Sequence, residues 1–324
     1  MSGARDHGGD LDRAMAEFGG AAHEWLDLST GINPRPYPLP PLRPRDWTAL
    51  PTGAALDALA RSAARAYGSP VLPVPLAGAQ AAVQIVPHVA PPGPARVLGP
   101  TYNEHAAALR AAGRRVLQVA APGDLAGAAV AVVVNPNNPD GRRHTPAALA
   151  VLAGKVGCLV VDESFADPNP ALSLAPRLAT LDNVIVLRSF GKFYGLAGVR
   201  LGFALTAQPL ARRIAAAAGP WAVSGPAIAV GRAALADTAW QAGTTARLAR
   251  DAARLDALAE GAGWALVGGT SLFRTYDTAD SAAAQTRLAR DRIWSRIFPY
   301  SARWIRLGLP DGDAAWQRLL RALG

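Results

Sequence analysis

The chain has 324 residues, half of them apolar, which is enough for a full-sized core divided between two lobes. One cysteine, Cys158, excludes a disulfide framework and a cysteine-rich metal site, and no apolar run approaches the roughly 20 residues a membrane-spanning helix needs. The formal charge of +9 raises nucleic-acid binding, but the arginines are dispersed among alanines without interleaved aromatics, so no nucleic-acid partner is expected.

The first ten residues are polar and carry no signal-peptide pattern, so a soluble cytoplasmic protein is expected. His7-Gly8-Gly9-Asp10 precedes a helical pattern over residues 11–18. Residues 25–30 alternate as a short strand, and Gly31 to Pro34 read as a turn. A helix is predicted over residues 57–67, closed by Gly68. Next, Pro75-Leu76-Ala77-Gly78-Ala79-Gln80 leads into an apolar helical pattern at 81–86. A turn of small residues at a helix start presents open backbone N–H groups at the positive end of the helix dipole, a ready phosphate site.

A strand at 96–99 leads to Pro100-Thr101-Tyr102, followed by a helix at 104–112 and strands at 116–119 and 129–134. The last of these ends in Asn135-Pro136-Asn137-Asn138-Pro139-Asp140-Gly141, and loops at the C-terminal ends of parallel strands are where α/β sheets bind ligands. A helix at 146–152 and a strand at 159–161 run into Asp162-Glu163-Ser164-Phe165. Strands alternating with helices predict an α/β fold with a mostly parallel sheet covered on both faces.

The stretch from Val184 to Phe203 holds the most pointed signal. An apolar strand ends in Arg188-Ser189-Phe190-Gly191-Lys192, a glycine-broken loop follows, and Arg200 opens another apolar run. Of the 33 basic residues only Lys155 and Lys192 are lysines. Arginine stays charged, whereas a lysine can lose its proton and attack a carbonyl. A lysine beside a serine and an arginine suits a Schiff base to an aldehyde cofactor that also carries a phosphate, with Ser189 and Arg200 on the phosphate. A plain surface lysine is the competing reading.

Further on, a strand to Leu205, a helix at 209–217 and one long helix over about 226–258 are predicted, the last bridging a large lobe to a small one. Strands at 264–267 and 271–275 and a helix at 282–297 complete a small α+β lobe. Arg303-Trp304-Ile305-Arg306-Leu307-Gly308-Leu309 alternates as a strand, with Arg303 and Arg306 on opposite parities. No cluster of metal ligands is evident, nor a Walker or dinucleotide glycine motif.

The lysine stretch, the Asn135–Gly141 heptad and Asp162 resemble the pyridoxal-phosphate enzymes of fold type I, the aspartate aminotransferase superfamily, over nearly the whole chain. His7-Gly8-Gly9, residues 28–33 and Phe165 look most like the threonine-phosphate decarboxylases of cobalamin biosynthesis, and next most like histidinol-phosphate aminotransferases. The resemblance implies residues 1–45 as an arm that joins part of the small domain, 46–235 as the large cofactor-binding domain and 236–324 as the small domain, assembled as a homodimer.

It implies cofactor contacts from Gly78, Ala79, Gln80, Ser189 and Arg200 to the phosphate. Tyr102 would stack on the ring face, Asp162 would pair with the protonated ring nitrogen, and Asn138 would donate to the ring oxygen. Phe165 stands where many relatives carry a tyrosine that also contacts the ring oxygen. Lys192 is the implied catalytic residue. His7 and Gly8 are implied near the substrate phosphate, and Gly31 and Asn33 near its carboxylate. Arg306 is implied as the carboxylate fork, with Arg303 as the alternative. The implied activity is decarboxylation of L-threonine O-3-phosphate, with transamination of a phosphorylated amino acid as the alternative.

Overall fold

The computed structural model describes residues 7–324. The chain folds as two units: one holds 37–138 and 142–241, and the other the chain up to Pro36, Pro139–Gly141 and Ala242–Gly324.

The larger unit is built on a seven-stranded sheet in the order Val74–Leu76, Gly202–Thr206, Val184–Ser189, Leu159–Asp162, Val130–Val134, Ala95–Leu98, Val116–Val119. Gly202–Thr206 pairs antiparallel with both its neighbours and every other pairing is parallel, so six strands share one direction. All five residues of Val130–Val134 are buried. A continuous apolar run is what a strand covered on both faces requires. On one face Val97, Val132, Val160, Ile185 and Leu187 pack with Val83, Val86, Leu109 and Ile214 from flanking helices. Thr52, Thr145 and Ser224 begin helices by accepting the N–H three residues on, which satisfies one of the open donors of the first turn.

The smaller unit carries a four-stranded antiparallel sheet in the order Arg296–Phe298, Ser301–Gly308, Phe273–Asp277, Ala265–Thr270. A two-residue parallel ladder joins Leu26–Asp27 to Ile293–Trp294. Around that ladder Phe18, Trp25 and Trp294 meet with ring centroids 6.2–6.4 Å apart, which ties the N-terminal helix Leu11–Phe18 to the C-terminal half of the chain.

Three features depart from the sequence pattern. The single helix predicted over 226–258 is two, Gly225–Ala236 and Thr238–Gly261. Asp237 breaks it: its φ/ψ of −88/79 is not helical, and its carboxylate accepts the Trp240 N–H at 2.9 Å and the Tyr37 hydroxyl at 3.3 Å. The helix predicted over 282–297 ends at Arg290, because Arg292 turns left-handed (φ 57) and Ile293 enters the ladder with Leu26. The unit boundaries also fall elsewhere than 45 and 235. Residues 37–45 belong to the larger unit, where the Tyr37 N–H donates to Tyr194 O at 2.8 Å and its ring stands edge-on to Trp240 at 5.2 Å. Residues 236–241 stay with it, and Pro139–Gly141 group with the smaller unit, where Thr275 donates to Pro139 O at 2.6 Å.

Asp237→Ala removes a cap acceptor and the partner of a phenol together. It is expected to lower stability by about 1–2 kcal/mol, read from the urea midpoint at unchanged slope.

Candidate active site

At the C-terminal edge of the large sheet the strand ends open into a cavity of about 180 Å³. All ten residues expected to touch a cofactor line it: Gly78, Ala79, Gln80, Tyr102, Asn138, Asp162, Phe165, Ser189, Lys192 and Arg200.

Part of the lining is suited to an anion. Ala79–Val89 is a helix of 11 residues whose first turn faces the cavity, and no acidic residue stands in that turn. Its cap is Gly78, at φ +82, a conformation only glycine adopts without strain. A Cβ there would lie 2.8 Å from Arg200 Nη2, so the missing side chain is what lets the guanidinium approach the helix start. Arg200 itself takes a left-handed backbone (φ 55). Ser189 ends its strand beside Gly202, its register partner. Open N–H groups, a hydroxyl and a guanidinium are donors of the kind that suit a phosphate.

Another part of the lining is anionic. Asp162 is buried, and burial alone would push its carboxyl up. Donors from His105 and Ser164 outweigh burial and hold it below the ordinary carboxylate range. His105 Nε2 lies 2.8 Å from one oxygen, and the Ser164 N–H and hydroxyl reach the other at 3.0 and 2.5 Å. An ionised carboxylate has no proton to give, so His105 Nε2 is the donor. His105 carries no motif and sequence reasoning missed it. The available signal was spacing: it stands one helical turn beyond Tyr102, on the same face, and the two rings meet edge-on at 6.0 Å.

Tyr102 is fixed by its hydroxyl, which donates to Gln80 Oε1 at 3.1 Å. Lys192 lies on a short helical turn, Phe190–Phe193, rather than a loop, with Nζ 5.6 Å from the centre of the Phe165 ring. Tyr194 braces this turn, stacked between Phe190 at 4.4 Å and Trp240 at 5.6 Å. The asparagine heptad divides its labour. Asn135 exchanges hydrogen bonds with His144, Asn137 joins Thr101 to Pro100, and Asn138 lines the cavity.

The smaller unit gathers most of the other expected residues. Arg306 is buried on Ser301–Gly308, donates through Nη2 to Ser29 O at 2.6 Å and lies over the Phe273 ring at 5.1 Å. Gly8 packs so closely on Ser29 that a Cβ would overlap its carbonyl oxygen and lie 3.5 Å from Arg306 Nη2. The Gly9 N–H donates to Ser29 Oγ at 2.7 Å. Gly31 and Asn33 are buried in the turn that follows, and Asn33 Oδ1 accepts from Arg247 at 2.6 Å, a partner without sequence signal. Arg303, the alternative to Arg306, is exposed and pairs with Asp277 at 2.8 Å. His7 is exposed beside Asp10, Arg13, Ser295 and Arg296, so it does not share the buried setting of Arg306.

Comparison with known proteins gives the class. Residues 42–322 match the model of the family "Aminotransferase class I and II", and the chain belongs to that family. It is 44% identical over its whole length to a threonine-phosphate decarboxylase of Sinorhizobium sp., covering 98% of that protein. It is 43% identical over 98% of its length to a threonine-phosphate decarboxylase of Pseudomonas aeruginosa, covering 97% of that protein. Among solved structures it is similar to the histidinol-phosphate aminotransferase of Sinorhizobium meliloti in complex with pyridoxal-5'-phosphate, with TM-score 0.74 and 25% identity over 84% of this chain and 81% of that one.

Because the Asp162 pKa is depressed on folding, its ionised form stabilises the protein above the unfolded value near ~4, and that contribution is lost as pH falls through the lower folded value. His105→Phe removes a main donor. The acid-side loss of stability is then expected to flatten in a series of urea melts from pH 7 to 3; an unchanged profile would show that His105 does not hold the carboxylate.

Proposed function

We propose that the chain is a pyridoxal-phosphate-dependent lyase that decarboxylates L-threonine O-3-phosphate to (R)-1-amino-2-propanol O-phosphate, the reaction that feeds the cobalamin nucleotide loop. The observation that carries the cofactor is one cavity lined by a glycine-capped helix start, Ser189, Arg200, a buried ionised Asp162 and Lys192. The gap left by Gly78 beside Arg200 fits a phosphate, and the ionised Asp162 in the cavity lining fits a protonated ring nitrogen. The choice of reaction rests on the two full-length relatives. Transamination of a phosphorylated amino acid is the second reading, favoured by the likeness to the histidinol-phosphate aminotransferase.

When bound, the cofactor supplies an electron sink for a carbanion next to the substrate nitrogen. The chain does the rest. The N–H groups of Ala79 and Gln80, with Ser189 and Arg200, would hold the phosphate. Asp162, kept ionised by His105 and Ser164, would favour a protonated ring nitrogen. Tyr102 would cover a ring face and Asn138 would donate to the ring oxygen. Phe165, in place of a tyrosine, would offer that oxygen no phenol. Lys192 would hold the aldehyde carbon and, in its protonated ammonium form, would be the group that gives a proton to the substrate Cα. Arg306, backed by Ser29 and Phe273, holds the substrate carboxylate as a fork, with Gly31 and Asn33 completing that subsite. Gly8 and His7 are assigned to the substrate phosphate.

A cytoplasmic homodimer completes the proposal. In the larger unit Leu39, Trp47 and Leu50 are each more than 60% exposed within a dozen residues, apolar surface that a partner subunit would cover. Light scattering coupled to size exclusion should give twice the chain mass.

The direct test incubates cofactor-loaded protein with L-threonine O-3-phosphate, without any oxo acid, and measures CO2. Catalytic release supports the lyase; no CO2, with amino transfer on adding 2-oxoglutarate, supports the transaminase. Lys192→Ala should lose CO2 release by at least ~10³-fold. Arg306→Lys keeps the charge but loses the fork, and KM should rise about tenfold or more.

A further inference from the structure

We propose that Arg188, on the sheet face away from the cavity, is a positioning residue that staples the turn Glu163–Asp167 and thereby sets the three cavity residues Asp162, Ser164 and Phe165 against Lys192. This rests on the cofactor reading above.

The argument begins with alternation. Neighbouring residues of a strand point to opposite faces. Asp162 and Ser189 end two adjacent parallel strands and line the cavity. Their chain neighbours Glu163 and Arg188 therefore turn away from it, and there they meet: Arg188 Nη1 donates to Glu163 Oε2 at 3.1 Å. The same guanidinium reaches Asp167 through Nη2 at 3.0 Å. Arg188 and Glu163 side chains are at most 3% exposed and that of Asp167 is 7% exposed, so solvent does not screen the triad.

The two carboxylates bracket a turn closed by the Ala166 N–H donating to Glu163 O at 3.0 Å. Ser164 and Phe165 lie inside it. Ser164 supplies both donors to one oxygen of Asp162, and Phe165 is the ring facing Lys192. Gripping both ends of the turn with one rigid fork fixes what lies between. Glu163 extends the grip: its other contacts are the Ser173 hydroxyl at 2.5 Å and the Leu174 N–H at 2.7 Å, which anchor the loop that follows. The Tyr67 ring covers the guanidinium, 4.2 Å from ring centre to Cζ.

Nothing in this triad touches the cavity, so a purely structural role predicts loss of stability and no change in the bound cofactor. The positioning role predicts more. A lysine at 188 keeps one charge but cannot span both carboxylates as a fork.

The test compares Arg188→Lys with wild type in three readouts: thermal midpoint of the cofactor-free protein, dissociation constant for pyridoxal phosphate by fluorescence titration, and visible circular dichroism of the bound cofactor at saturation. The expected result is a dissociation constant raised at least tenfold and a visible dichroic band reduced to half or less. A lowered midpoint with both cofactor readouts within a factor of 1.5 of wild type would overturn the proposal. Should Arg188→Lys fail to fold, Asp167→Asn, which keeps the shape and an acceptor but weakens one arm, is read identically: a dissociation constant raised at least threefold supports the staple and an unchanged one overturns it. Wild-type protein that binds no pyridoxal phosphate in the same titration would instead count against the cofactor reading.

Discussion

An ionised carboxylate in a protein interior is costly unless donors replace the water it loses. Asp162 is such a group, and much of the larger unit is arranged to keep it charged. His105 serves one oxygen and Ser164 the other, so burial, which would neutralise the acid, is overcome. Both donors need fixed backbones. His105 depends on the helix Asn103–Ala111, and Ser164 on the turn that Arg188 grips from the other face.

The same edge gathers residues distant in sequence because of strand direction. Strands running the same way deliver Asn138, Asp162 and Ser189 at their C-terminal ends. The one reversed strand, Gly202–Thr206, starts where the others finish: Gly202 pairs with Ser189 on one side and Leu76 on the other. Arg200, just before that strand, and Gly78, just after Leu76, thus arrive at one place. A fully parallel sheet would put the start of 202–206 at the opposite edge and take Arg200 away from Gly78.

Much of this was legible in the sequence because it depends on residues with few substitutes. A glycine at a helix start, one of only two lysines in an arginine-rich chain and an asparagine–proline heptad at a strand end each mark a local requirement, and the elements carrying them lie where periodicity puts them. What escaped depends on tertiary partners. His105 and Arg247 acquire roles only through Asp162 and Asn33, 57 and 214 residues away. Parity separated Arg303 from Arg306 but could not say which face is inward; the Phe273 ring and Ser29 decide that. The break at Asp237 was hidden because alanine-rich flanks keep a helical period through it, and only the Tyr37 hydroxyl and the Trp240 N–H reveal a residue engaged in ending one helix and starting another.

Arginine and lysine divide the chemistry along the line their pKa values draw. Arg188 has to stay charged in the interior, and its two carboxylates raise its pKa against the pull of burial. Arg200 and Arg306 are placed where a planar, permanently charged fork suits an oxyanion. Each of these tasks would be weakened by a group able to shed its proton. Under the proposed function position 192 needs the reverse, an amine that is neutral when it attacks and protonated when it delivers, and no guanidinium can alternate in that way. In a chain where arginine has displaced lysine almost everywhere, the lysine between Ser189 and Arg200 is therefore the residue whose chemistry the surrounding scaffold cannot supply by any other means.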